Sequence, residues 1–224
     1  MELWHVLNRG VDGRELFMDD RDRLRFIHDL YEFNDTSPAD PNLGYRLKSM
    51  DIVSPYIEKR PRERLVEIHG WCLMKNHYHL LISELVEKGM SLFLRKLNVG
   101  YAKSFNEKYE RVGTLFQGRT KKIHIERDAH FNYILHYIHL NPLDYFPGAG
   151  LWRERSHAGI NDVRGALEYL DQYRWSSYLD YTNRRNFPSI LTTSLFKDVL
   201  GNYLHSLRDY LADAETDLGL LRLE

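Results

Sequence analysis

Apolar residues run from 65 to 74, break at Lys75-Asn76, and resume from 77 to 83. This pattern predicts two antiparallel strands joined by a tight turn. The second strand opens His77-Tyr78-His79-Leu80-Leu81-Ile82. Strand side chains alternate between faces, so His77 and His79 share one face and Tyr78 takes the other. Elsewhere the apolar period lengthens to that of a helix. Leu24, Ile27, Leu30 and Tyr31 predict a helix from Asp19 or Asp20 to about residue 34, and Leu92, Leu97, Tyr101 and Phe105 predict one over about 90–109. A third helix, 127–140, is ended by Asn141-Pro142. Residues 4–8 and 121–126 read as short strands.

The resulting order is strand, helix, strand, strand, helix, strand, helix. It predicts an α+β fold, a mostly antiparallel sheet with helices on one face. Residues 1–150 make up this unit. Within it, 35–61 carries Pro38, Pro41, Pro55 and Pro61 and reads as an insertion with little regular structure. Residues 151–224 read as a C-terminal helical appendage packing on the core, with an amphipathic helix over about 194–211.

Composition narrows the class. Of 224 residues, 43% are hydrophobic and 28% charged, ordinary for a globular protein. No apolar run approaches the roughly 18 residues that a membrane span requires, and residues 1–20 show no signal-peptide pattern. Cys72 is the single cysteine, which excludes an intramolecular disulfide and fits a reducing cytoplasm. A net charge of −1 argues against coating duplex DNA through bulk charge, yet charge is sorted along the chain. Residues 95–122 hold eight basic side chains against Glu107 and Glu110, a net of +6, whereas 205–224 carries a net of −3.

Two constellations carry candidate chemistry. Buried imidazoles each bring a donor and an acceptor that need partners, so His77 and His79 suit a shared metal ion better than a plain core. Taken alone, a His-x-His pair is weak. At the end of the third helix, Tyr137 and Asn141 are four apart and share a face. An amide oxygen from Asn141 with two imidazoles would give a three-ligand site for Mg²⁺ or Mn²⁺ with open positions for substrate oxygens. A core role for Tyr137 and a helix-terminal role for Asn141 explain the same residues.

Several stretches in order carry a family resemblance: His5-Val6-Leu7-Asn8-Arg9-Gly10, Met18-Asp19-Asp20, Trp71-Cys72-Leu73-Met74-Lys75-Asn76-His77-Tyr78-His79, Gly113-Thr114-Leu115-Phe116-Gln117-Gly118-Arg119, Tyr137-Ile138-His139-Leu140-Asn141-Pro142 and Trp175-Ser176-Ser177-Tyr178. Over roughly residues 4–180 the chain resembles the REP-associated tyrosine transposases, of the HUH single-tyrosine group that acts on single-stranded DNA.

The resemblance implies a ferredoxin-like HUH fold. It implies His77, His79 and Asn141 as ligands of Mg²⁺ or Mn²⁺ and Tyr137 as the nucleophile that forms a 5′-phosphotyrosine link, with a repetitive palindromic hairpin as target. Tyr101 is the rival nucleophile. It is followed by Asn106 five residues on, about 140° away around the helix, so it reads as a packing residue. Tyr133 falls on the Tyr137 face and reads as packing beside it, and His136 and His139 read as surface or substrate-side residues. Arg9, Arg119, Lys121 and Lys122 are the expected DNA contacts. Members of the family include monomers and dimers, so a homodimer stays open. Two other readings stay open too: a hairpin-binding regulator that has lost cleavage, and an unrelated metal-dependent hydrolase.

Overall fold

The computed structural model describes residues 1–38, 62–126, 128–149, 152–153, 160 and 162–212. Most of the expected insertion 35–61 and the acidic end beyond residue 212 lie outside the described residues. Four strands, β1 (Leu3–Arg9), β2 (Val66–Leu73), β3 (His77–Glu84) and β4 (Lys121–His124), form one antiparallel sheet in the order β2-β3-β1-β4. Seven α-helices accompany them among the described residues: α1 (Asp20–Glu32), α2 (Gly89–Lys108), α3 (Asp128–Leu140), α4 (Val163–Gln172), α5 (Tyr178–Tyr181), α6 (Ser194–Leu200) and α7 (Tyr203–Ala212).

Local chemistry sets the boundaries. Asp19 caps α1, its carboxylate accepting from the Asp22 amide at 2.9 Å while the Asp22 carboxylate accepts from the Asp19 amide at 3.3 Å. This reciprocal cap satisfies two amides that the first helical turn leaves open. Pro142 ends α3, and residues Asn141–Tyr145 tighten into a 3₁₀ turn. The amphipathic stretch predicted over 194–211 is two helices, because Gly201 at φ 56° turns the chain between α6 and α7.

Strand alternation builds two layers. Val6, Ile68, Trp71, Leu73, Tyr78, Leu80 and Ile82 pack with Phe26 and Leu30 of α1 and Phe93, Leu97 and Tyr101 of α2. On the other face Leu3, Cys72 and Leu81 pack with Ile134, Leu135 and Ile138 of α3, and α4 to α7 add Leu170, Tyr178, Phe196 and Leu207. Helices α1 and α2 thus form the expected layer, and α3 with the C-terminal helices forms a second. Gly70 permits the close approach of α3: a Cβ there would meet the Leu135 side chain at 2.6 Å. Trp175–Ser177 docks along the outer edge of β2, with Leu73 N donating to Trp175 O and Ser177 N to Trp71 O, both at 2.9 Å. That edge is therefore covered.

Candidate functional site

The α3 side of the sheet collects the polar groups. Directly opposed residues in antiparallel strands share a face, and the register pairs Arg9 with His77, Leu7 with His79 and with Lys121, and His5 with Leu81. Arg9, His5, His77, His79 and Lys121 therefore face the α3 side together, and Arg9 and Lys121 are exposed at its margin. Lys122 points to the opposite side, where its ammonium reaches Ser91 Oγ at 3.2 Å. Arg119 is exposed in the turn before β4. The four expected DNA contacts thus divide between two faces and a turn.

His79 is fully buried, and its Nδ1 lies 2.9 Å from Nε2 of His5 in a hydrogen bond that joins β3 to β1. The rings stack with centroids 5.2 Å apart. Nε2 of His79 is buried with no hydrogen-bond partner. Burial first, then the charges of His5, His77, Arg153 and Arg9, hold its pKa well below the ordinary histidine value, so the ring is neutral at pH 7. Nδ1 of His77 lies 2.7 Å from Asn76 Oδ1, an atom that only accepts, so Nδ1 carries the proton and the lone pair of the neutral ring sits on Nε2.

Helix α3 brings Tyr137 to this cluster. Its ring meets His5 edge-on at 5.9 Å and His79 at 6.1 Å between centroids, and its side chain is nearly buried. One turn on, Asn141 is fully buried, its amide nitrogen donating to Tyr137 O at 2.8 Å and its oxygen accepting from Arg153 Nη2 at 2.7 Å. Arg153 also hydrogen-bonds the Asp144 carboxylate, and its guanidinium lies 5.9 Å from the Tyr137 ring centroid and 4.4 Å from that of Trp152. Trp152 in turn donates to Asp144 at 2.7 Å and packs 5.7 Å from the Tyr137 ring. Burial alone would lower the pKa of Arg153, but Asp144 and Tyr137 raise it above the usual arginine value, so its charge is fixed.

Tyr101 lies in the other layer. It packs on Phe17 and Phe26 at 5.6 and 5.0 Å, and its hydroxyl donates to Leu16 O. Tyr133 turns toward Tyr210, with ring centroids 5.3 Å apart, rather than lying against Tyr137. His136 and His139 correct the expectation of surface histidines: both are buried, because α7 covers α3. His139 is held by Tyr203 at 2.6 Å and Ser177 at 2.7 Å, so it ties the C-terminal helices to the sheet.

Among the described residues no three His, Cys, Asp or Glu side chains gather as a metal centre. The donors present still fit a divalent cation in part. His79 offers a buried, unpartnered Nε2 whose other nitrogen is held by His5, the arrangement that fixes a ligating imidazole, and His77 has its lone pair on Nε2. The Asn141 oxygen, the expected third donor, is engaged by Arg153 in this arrangement.

Residues 48–141 match the family model described as Transposase IS200 like, a span holding His77, His79, Tyr137 and Asn141. Over that segment, 94 of 224 residues, the chain is similar to IS200-like transposases. None of the curated proteins matches the chain. A solved structure described as the REP-associated tyrosine transposase bound to a REP hairpin is similar at 11% identity over 85% of each chain, with a TM-score of 0.49. No helix among the described residues is long and apolar enough to cross a membrane. Outside the matched segment, two site residues escaped the sequence reading. His5 sits in the His5–Gly10 stretch, but its pairing with His79 depends on β1 lying between β3 and β4. Arg153 lies in no periodic element and has no local signal.

Proposed function

We propose that this chain is a metal-dependent single-strand DNA endonuclease and strand transferase, a transposase acting on repetitive palindromic hairpin DNA, with Tyr137 as nucleophile. The observation that carries this reading is the approach of the Tyr137 ring to His79, 6.1 Å between centroids, on the sheet face that holds both His77 and His79, where the His79 Nε2 is buried with no hydrogen-bond partner. His77 and His79 would hold Mg²⁺ or Mn²⁺, with Asn141 completing the set when its oxygen accepts the ion beside or in place of Arg153. The cation, when bound, withdraws charge from the scissile phosphate and aligns the leaving 3′ oxygen.

The chain's own residues do the rest. The Tyr137 phenol loses its proton to solvent and its oxygen bonds to phosphorus as the bond to the 3′ oxygen breaks. The released 3′ oxygen takes a proton from solvent. The phosphodiester energy stays in the 5′-phosphotyrosine link, so a 3′-hydroxyl can reverse the step and rejoin DNA. Arg9 and Lys121, exposed on the histidine face, and Arg119 beside it are placed to bind phosphates, and Lys122 extends the basic rim from the far side. A homodimer that shares its sites between subunits is compatible with this chemistry.

A regulator that binds hairpins without cutting is the second reading, favoured by the engagement of the Asn141 oxygen by Arg153 and the near-complete burial of Tyr137. The test incubates the protein with Mg²⁺ or Mn²⁺ and labelled single-stranded hairpin oligonucleotides, then resolves a covalent adduct on a denaturing gel. The transposase reading expects an adduct that chelation abolishes and that Tyr137→Phe lacks. Tight hairpin binding with no adduct in either metal favours the regulator.

A further inference from the structure

We infer that a cleft along the outer edge of β2 binds the phosphate backbone of duplex DNA. Taking that duplex to be the paired arm of a hairpin rests on the transposase reading. The cleft measures about 410 Å³ between the turn after α5 and the first turn of α6, and Arg184, Arg185 and Lys197 line it against one carboxylate, Asp180. All three cations are exposed. Asp180 does not cancel them, because its carboxylate is turned into its own loop, accepting from the Asn186 amide at 2.9 Å and the Phe187 amide at 3.2 Å. Arg184 is held by Asp171 at 2.8 Å. Among the described residues, no ion pair or hydrogen bond engages the side chain of Arg185 or Lys197. Two cations therefore stand ready for an anion from outside the fold.

The lining selects a backbone and not bases. Sites for single strands carry aromatic rings on which bases stack, and no Phe, Tyr or Trp lines this cleft. Its cations, with the side chains of Asn183 and Thr193, suit phosphate and sugar and leave sequence unread. Both walls are fixed, so little ordering is required on binding. Thr192 N donates to Ile68 O of β2 at 2.8 Å, Arg184 N donates to Leu179 O at 2.9 Å, and Asn186 Nδ2 donates to Arg174 O at 2.7 Å. Position points to a duplex as well. His79 pairs with Cys72 and Ile82 with Ile68, so Thr192 lies three residues along β3 and two strand spacings across from His79. Steps of roughly 3.4 and 4.8 Å place that wall about 14 Å from His79. A duplex covers this span in about four rises of 3.4 Å. Lys121 at the β4 edge and the cleft at the β2 edge thus flank the histidines of β3.

The experiment measures binding of the full chain by fluorescence anisotropy, across a salt series, to a hairpin oligonucleotide, a blunt duplex and a single strand without a stem. Wild type is compared with the double variant Arg185→Gln, Lys197→Gln and with a charge-matched control, Arg21→Gln, Arg164→Gln, two exposed cations that do not line the cleft. The cleft variant is expected to bind hairpin and duplex roughly tenfold more weakly, with a salt slope shallower by about 1–2, while binding the single strand as wild type does. The control should bind all three as wild type does. An equal loss on the single strand, or an equal loss in the control, overturns the inference, as does a wild type that binds no duplex. Inorganic phosphate and deoxyadenosine monophosphate are titrated against the Arg185 side-chain N–H resonance, assigned by its loss in Arg185→Gln. Saturation by either at concentrations where duplex leaves the resonance unmoved assigns the cleft to a free phosphate ester and overturns the backbone assignment. Duplex binding through the cleft with no covalent adduct from wild type overturns the transposase reading alone.

Discussion

The two faces of β3 are built from neighbouring residues and do opposite work. Tyr78, Leu80 and Ile82 enter an aromatic and aliphatic layer with α1 and α2, where Tyr78 donates to Asn98 Oδ1 at 2.8 Å and Tyr101 to Leu16 O. One residue along, His77 and His79 enter a layer that keeps a buried imidazole nitrogen without a partner and a charged guanidinium against a phenol. An orphaned buried imidazole nitrogen costs stability, and beside a guanidinium and a phenol it is poorly explained by packing alone. The contrast indicates that α1 and α2 supply stability, so that the α3 side can carry groups poorly suited to a core.

Breaking one layer at a time separates the two roles. Phe26→Ala, in the apolar layer, should cost about 3–5 kcal/mol in denaturant unfolding, and the fraction still folded should form the hairpin adduct at the wild-type rate. His79→Ala should do the reverse, lowering adduct formation by roughly a hundredfold or more while its unfolding midpoint falls far less than that of Phe26→Ala. Equal loss of activity in the two proteins after correction for folded fraction would erase the distinction. Tyr101→Phe is a finer cut: it leaves Leu16 O without its donor, costs about 1 kcal/mol in the same unfolding assay, and spares the adduct.

A smaller and pH-dependent effect separates the buried histidines by role. Burial first, then His136, hold His139 well below the ordinary histidine pKa of 6.5, so the folded state keeps it neutral. Its contribution to stability is fully present above that unfolded value and is lost as pH falls below it, because the unfolded chain gains a proton that the folded chain refuses. Asp29 works the other way: burial, only partly offset by Arg25, raises its carboxyl to about 7, so its contribution grows on acidification. Comparing His139→Gln with wild type cancels the Asp29 part. The variant should lose about 1.4 kcal/mol per pH unit of slope in unfolding free energy between pH 6.5 and 5, measured by urea titration at each pH. An unchanged slope would mean that His139 is charged in the fold.

How far the site could be read beforehand follows from which forces are local. The histidine face was legible because strand alternation is a period-two property of seven consecutive residues, and Tyr137 and Asn141 because four residues make one helical turn before a proline. The burial of His136 and His139 was not legible, since it depends on α7 packing across α3 after a turn at Gly201 that divides one amphipathic stretch into two helices. His5 was in view as part of a resemblance, but its bond to His79 follows from a strand order that no local pattern encodes. Arg153 is the hardest case. Its place is fixed by Asp144, Trp152 and Asn141 through contacts between irregular segments, which leave no periodic trace.

The account stands most directly on which tyrosine carries the DNA. Covalent complexes formed on a hairpin oligonucleotide in Mn²⁺ are digested with nuclease and protease, and the modified peptide is sequenced by mass spectrometry. The account predicts a nucleotide remnant on Tyr137, in the peptide that also holds His136 and His139. A remnant on Tyr101, or on any tyrosine of the α1 and α2 layer, would contradict it.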